Sequence, residues 1–237
     1  MGSHKVSTNF SQNLKSKIQN GMTLPTITQN TIDLAPGDEL ILRFRTWEDY
    51  DNLIARRQDK AGLKIKYSNA TQEIRIMSPL PGHGKNADIL SDLVKALLRH
   101  QNQDWEAFTP ITLKRTNQQG VEPDYCFYIQ NRQQILGKER IDLESDPPPD
   151  LVIEVDLTST TKAEDYQAIS PKELWIYRRS GLLIYLFDGQ QYQESKTSYN
   201  FPDFDVKKLI SEYVDRGWQV GSSVAVREFE KLLREGC

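Results

Sequence analysis

The sequence predicts an α/β protein with a central mixed β-sheet flanked by helices, an N-terminal helix-hairpin extension and C-terminal helices. Three observations predict it. The run Leu151-Val-Ile-Glu-Val155 is nearly continuous in apolar residues, as in a strand covered on both faces. From about His83 to His100, Ile89, Leu90, Leu93, Val94, Leu97 and Leu98 form a wide apolar stripe at helical spacing. Helix-period and strand-period segments alternate along the chain, the order that layers helices onto a sheet.

The first 38 residues are rich in Asn, Gln, Ser and Thr, with no acid before Asp33, and are expected to form a flexible polar arm. Residues 39–237 are expected to form a single domain, with a core over about 79–187 and a helical tail over about 203–237. Thr46 reads as an N-cap, followed by Glu48 and Asp49 where carboxylates suit the positive end of a helix. Trp47, Tyr50, Leu53 and Ile54 then recur at helical spacing. Alternation in Leu63–Tyr67 and Glu73–Met77, around Ser68-Asn69-Ala70, predicts a hairpin with one wet face. Short strands follow at Trp105–Phe108 and Ile111–Arg115, then an aromatic run, Pro123-Asp-Tyr-Cys-Phe-Tyr-Ile129, and a polar, helix-prone stretch to Asp146. Pro147-Pro148-Pro149 stiffens the entry to Leu151–Val155. A short helix from about Lys162 to Ile169 leads to strands at Glu173–Tyr177, Leu182–Phe187 and Tyr192–Thr197. Val206–Tyr213 and Val224–Leu233 carry the last helical patterns.

Composition narrows the function classes. Thirty basic against 33 acidic residues give a net charge of −3, too little positive field to coat nucleic acid by charge alone. An enzyme meeting DNA through one local basic face stays open, and Arg56, Arg57, Lys64, Lys66, Lys85, Lys114, Arg115, Arg178 and Arg179 are compatible with such a face. No apolar run approaches the ~20 residues of a membrane span, and the first 30 residues lack the apolar core of a secretory signal. Cys126 and Cys237 are too few for a disulfide scaffold, so a reducing cytoplasm is the expected setting.

Glu154 carries the most chemical information. It interrupts a strand that otherwise reads as core, and an uncompensated buried carboxylate costs several kcal/mol or changes protonation state. A metal is one compensation. A salt bridge to Arg43, Arg75 or Arg115 is the other. Asp124 follows Pro123 at the mouth of a similar strand, and two carboxylates converging from adjacent strands suit Mg²⁺. Lys162 lies eight residues after Glu154, and its four-residue spacing from Tyr166 predicts one shared helical face. An ammonium there can stabilise charge at a phosphate.

The blocks Glu122-Pro123-Asp124, then Pro148-Pro149-Asp150-Leu-Val-Ile-Glu154-Val-Asp156, then Glu173-Leu-Trp175-Ile-Tyr resemble the Uma family of putative restriction endonucleases, within the PD-(D/E)xK nuclease superfamily. The resemblance covers roughly 43–186. It implies a restriction-endonuclease-like fold, DNA as substrate, and phosphodiester hydrolysis by water activated with Mg²⁺, or Mn²⁺ in its place. Asp124 matches the PD acid and Glu154 the (D/E)xK acid, both as metal ligands. Asp156 occupies the usual lysine position, which makes Lys162 the candidate migrated lysine; Asp156 is then a third ligand or a partner for Lys162. His83, Tyr166 and Glu122 are the remaining accessory candidates. A homodimer suits cleavage of both strands of a duplex.

Two other classes compete. A nuclease-fold module without activity, binding nucleic acid or protein, is supported by Asp156 in the lysine slot. A two-carboxylate glycosidase needs no metal, and strand-borne acids with a following lysine fit it poorly.

Overall fold

The hairpin predicted from alternation forms: β5 (Lys64–Ser68) pairs antiparallel with β6 (Glu73–Met77), with Ile65 opposite Ile76 and Tyr67 opposite Ile74. The computed structural model describes residues 4–7, 26–28, 31–57, 62–157 and 161–236, which divide into two compact units. No helix among the described residues is long and apolar enough to cross a membrane.

The first unit comprises residues 1–81 and 112–122. Three short strands fall within the 38-residue polar N-terminal stretch: β1 (His4–Ser7), β2 (Thr26–Thr28) and β3 (Thr31–Leu34), in the order β1-β3-β2. Residues 1–3, 8–25 and 29–30 of the predicted arm, like Cys237, lie outside the described residues. β4 (Glu39–Arg43) pairs with β6. Thr46 caps the next helix as expected: its hydroxyl accepts from Asp49 N (3.2 Å) and Asp49 Oδ2 accepts from Thr46 N (3.1 Å). This helix, α1 (Trp47–Arg57), buries Tyr50 and Leu53 against Leu40, Leu42, Ile65, Tyr67, Ile74 and Ile76. The stretch 112–122 supplies β8 (Leu113–Arg115) and β9 (Gln119–Val121), completing the order β4-β6-β5-β9-β8.

The second unit comprises residues 82–111 and 123–237. Its sheet contains β7 (Glu106–Phe108), β10 (Tyr125–Tyr128), β11 (Leu151–Val155), β12 (Glu173–Arg178), β13 (Gly181–Phe187) and β14 (Tyr192–Ser195). The order is β14-β13-β12-β11-β10-β7, with β11 and β12 parallel and the other pairs antiparallel. This is the mixed sheet that the sequence predicts, and β11 is buried along its whole length. The long helix α2 (Pro81–His100) places all six residues of its apolar stripe in the core, together with Phe127, Ile153 and Trp175. Between β10 and β11 the helix-prone stretch forms only α3 (Arg132–Ile135). Two C-terminal helices, α4 (Val206–Val220) and α5 (Ser222–Glu235), meet at Gly221 and add Ile210, Val214 and Phe229 to that core.

Two substitutions probe the first unit. A Cβ on Gly120 would stand 2.1 Å from the Tyr50 hydroxyl oxygen, and Tyr50 is fully buried. Gly120→Ala is therefore expected to lose at least the upper end of the ~1–3 kcal/mol typical of overpacking, read by urea denaturation. Glu122 accepts from both Arg57 terminal nitrogens, from Ile65 N (2.7 Å) and from the Thr112 hydroxyl (2.7 Å). Removing it strands a buried guanidinium, so Glu122→Ala is expected to destabilise by about 3–5 kcal/mol in the same measurement.

Candidate active site

Strand pairing brings the two key acids together. β10 and β11 run antiparallel with Tyr125 opposite Ile153 and Cys126 opposite Val152. Asp124 directly precedes β10, and alternation along the strand puts it on the face opposite Tyr125 and Phe127, which pack into the helix-covered core. Asp124 N donates to Ile153 O (3.1 Å), which ties the residue before β10 to β11. Leu151, Ile153 and Val155 pack into the helix-covered core, so Glu154 projects to the other face. On its parallel neighbour, Ile176 lies beside it.

Both carboxylates are buried: Asp124 is 8% exposed and Glu154 2%. Asp124 Oδ2 accepts from Val155 N (2.8 Å) on the strand that bears Glu154. Its Oδ1 lies 2.6 Å from His83 Nε2, and His83 is itself buried in the first turn of α2. Glu154 Oε1 accepts from the Tyr166 hydroxyl (2.5 Å). Tyr166 is fully buried. Desolvation first, then the negative charge of Glu154 and its hydrogen bond, and then Asp124, push the Tyr166 phenol well above its ordinary range, so it stays a neutral donor. Asp124, Glu154, His83 and Tyr166 all belong to the second unit.

The structure brings these four together and treats the other candidates differently. Instead of a helix over Lys162–Ile169 there is one 3₁₀ turn, Ala163–Tyr166. Lys162 precedes it with extended backbone and is exposed, whereas Tyr166 is buried, so the shared helical face expected of the pair does not form. Lys162 N donates to Asp165 Oδ2 (3.0 Å). Asp156 accepts from Thr161 N (3.0 Å) and from Arg178 Nε (3.2 Å), which gives Arg178 a structural partner as well as its place among the basic residues. Arg43 and Arg75, two of the guanidinium partners considered for Glu154, pair with Glu73. Glu122 is held within the first unit by Arg57.

One neighbouring arrangement had no signal in the sequence. Trp218 on α4 donates through Nε1 to Asn86 Oδ1 (2.6 Å), and Lys85 Nζ sits 3.9 Å from the centre of its ring. This braces the turn of α2 that carries His83. A pairing of residues 132 positions apart leaves no local pattern to read.

Hard carboxylate oxygens are the donors Mg²⁺ takes, and that ion uses one or two carboxylates while leaving its other positions to water and phosphate. Asp124 and Glu154 fit this requirement. Among the described residues no group of three or more His, Cys, Asp or Glu side chains is arranged to hold a metal.

A model of the Uma2 family, described as a putative restriction endonuclease, matches residues 47–219 of this chain. Among solved structures, the chain is similar to a putative nuclease belonging to DUF820 from Anabaena variabilis ATCC 29413. The two are 13% identical, with 67% of this chain and 91% of that one covered at a TM-score of 0.44. No curated protein matches.

Cys126 tests how tightly this strand is sealed. It is fully buried, and desolvation pushes its thiol up to about 12. In a Cys237→Ser chain, Cys126 is expected to resist alkylation at pH 8 until the protein unfolds, because the thiolate is the reactive form. Mass spectrometry of the native protein with and without denaturant reads the result.

Proposed function

We propose a function from one premise: the chain belongs to the Uma2 family of putative restriction endonucleases. The reading is a metal-dependent endonuclease that hydrolyses phosphodiester bonds in DNA. The observation that supports it best is that buried Asp124 bonds the strand that carries buried Glu154, through Val155 N, and that each carboxylate is already held by named partners. Buried acids oriented in this way are prearranged to bind a cation and a phosphate together.

Asp124 and Glu154 would hold the ion. When bound, Mg²⁺ supplies Lewis-acid charge at the scissile phosphate. The protein's own groups do the rest. Val155 N and His83 Nε2 fix the two oxygens of Asp124, and the Tyr166 hydroxyl fixes Glu154. Such outer partners orient ligating groups and keep them basic. Lys162, on the turn that ends in Tyr166, is the candidate ammonium for charge that develops on the phosphate. A homodimer would present two such sites to the two strands of a duplex. With a net charge of −3, the affinity for DNA should be modest and salt-sensitive unless positive charge is gathered on one face.

A nuclease-fold module that binds without cutting is the second reading, favoured by Asp156 in the lysine slot and its bond to Arg178.

A supercoiled-plasmid nicking assay with Mg²⁺ or Mn²⁺ separates the two. Nicking should depend on the metal and stop with chelator. Asp124→Asn and Glu154→Gln should each lower it by more than about 100-fold, beyond the 10–100-fold typical of outer partners, and His83→Ala should fall inside that range. DNA binding without metal-dependent nicking in the wild type would favour the module.

A further inference from the structure

The buried Asp156 is the starting point. Its side chain is 1% exposed and meets the guanidinium of Arg178, which is 32% exposed and ends β12. Arg178 makes two contacts: Nε to Asp156 Oδ2 (3.2 Å) and Nη2 to the carbonyl of Thr161 (2.7 Å). The same Asp156 oxygen accepts from Thr161 N (3.0 Å), and Asp156 N donates to Tyr177 O (2.8 Å). Thr161 is thus gripped at both its N–H and its carbonyl by a pair anchored in the sheet. Five residues further along the chain, the Tyr166 hydroxyl reaches Glu154.

The intervening turn is a four-residue 3₁₀ segment, Ala163–Tyr166, capped by the bond from the preceding Lys162 N to Asp165. Its far end is held by buried Tyr166 and Ile169 and by Gln167, which donates to Gln190 O; its near end needs an anchor of its own. The grip on Thr161 supplies it. A guanidinium suits the task because its planar fork offers several donors in fixed directions, whereas an ammonium offers a point charge. The acid two positions after Glu154 then has a use that needs neither a metal nor Lys162.

We infer that Arg178 is a positioning residue: through Asp156 and Thr161 it holds the Tyr166 hydroxyl against Glu154, and so sets the orientation of that carboxylate. The catalytic consequence rests on the nuclease reading of Glu154; the positioning itself does not.

The test uses the full chain with Arg178→Gln, Arg178→Lys, Tyr166→Phe and the Arg178→Gln/Tyr166→Phe double variant. Hydrogen exchange should show lost protection over residues 161–170 in Arg178→Gln, with α2 unchanged and partial recovery in Arg178→Lys. In tyrosine ¹³Cζ spectra, the Tyr166 signal, identified by its loss in Tyr166→Phe, should shift in Arg178→Gln. In the nicking assay kcat should fall by roughly 10-fold or more with KM little changed, in line with outer-partner losses. The double variant should be no slower than the slower single variant, because both act through one bond. Unchanged protection at 161–170, an unmoved Tyr166 signal, or penalties that multiply in the double variant would overturn the inference. A wild type that does not nick defeats the nuclease reading alone, and the exchange and spectral results still decide the positioning.

Discussion

The register of β10 on β11 is the constraint from which the rest of the site follows. A slip of one residue in an antiparallel pair sends every side chain to the opposite face. Here such a slip would separate Asp124 from Glu154 and push one acid into the helix-covered core. Leu151, Ile153 and Val155 prevent it, since each is at most 2% exposed and none can move to the other side without losing its contacts with the core. Apolar packing on one side of the sheet thereby determines where charge is concentrated on the other.

Once that face is fixed, each buried polar group must find a partner, and the partners come from separate elements. His83 arrives on the first turn of α2, the Val155 amide from the neighbouring strand, and the Tyr166 hydroxyl from the 3₁₀ turn after β11. Buried carboxylates with directed donors have few orientations open to them, which is the state a binding centre requires before its ligand arrives. Similar satisfaction elsewhere serves stability. Glu173 accepts from Trp175 Nε1 (2.6 Å) and from Asn200 N (3.0 Å), tying β12 to the loop before α4, although burial still raises its carboxyl above the ordinary range.

Much of this was legible in the sequence because the signals are local. The apolar stripe of α2, the period-two alternation of β5 and β6, the Thr46 cap and the unbroken run around Glu154 each follow from a side-chain period or a short motif. Glu154 drew attention because it breaks its surroundings, and Asp124 because Pro123 places it at a strand mouth. Partnerships at long separation were less legible. Arg178 lies 22 residues from Asp156 and looks like any surface arginine in its strand. Lys162 and Tyr166 suggested a helix by spacing alone, but the chain makes one tight turn there, and its geometry sends the two side chains into different surroundings. β9 was also missed. Gln119-Gly120-Val121 has little strand propensity, and it becomes a strand because β5 and β8 offer it edges to pair with.

The excursion of residues 112–122 has a bearing on how the molecule is made. β7 is synthesised before this stretch and its partner β10 after it, while β5 waits for β9 from about fifty positions downstream. The first unit's sheet therefore stays open along β5 until residues 112–122 have left the ribosome, whereas the strands of the second unit's sheet pair in chain order once that stretch has passed. Contacts between distant parts of a chain form slowly and expose sticky edges meanwhile. Closure of the first unit's sheet should therefore come late, and a proteolytic nick within 112–122 before that moment would leave the β5 edge unmatched.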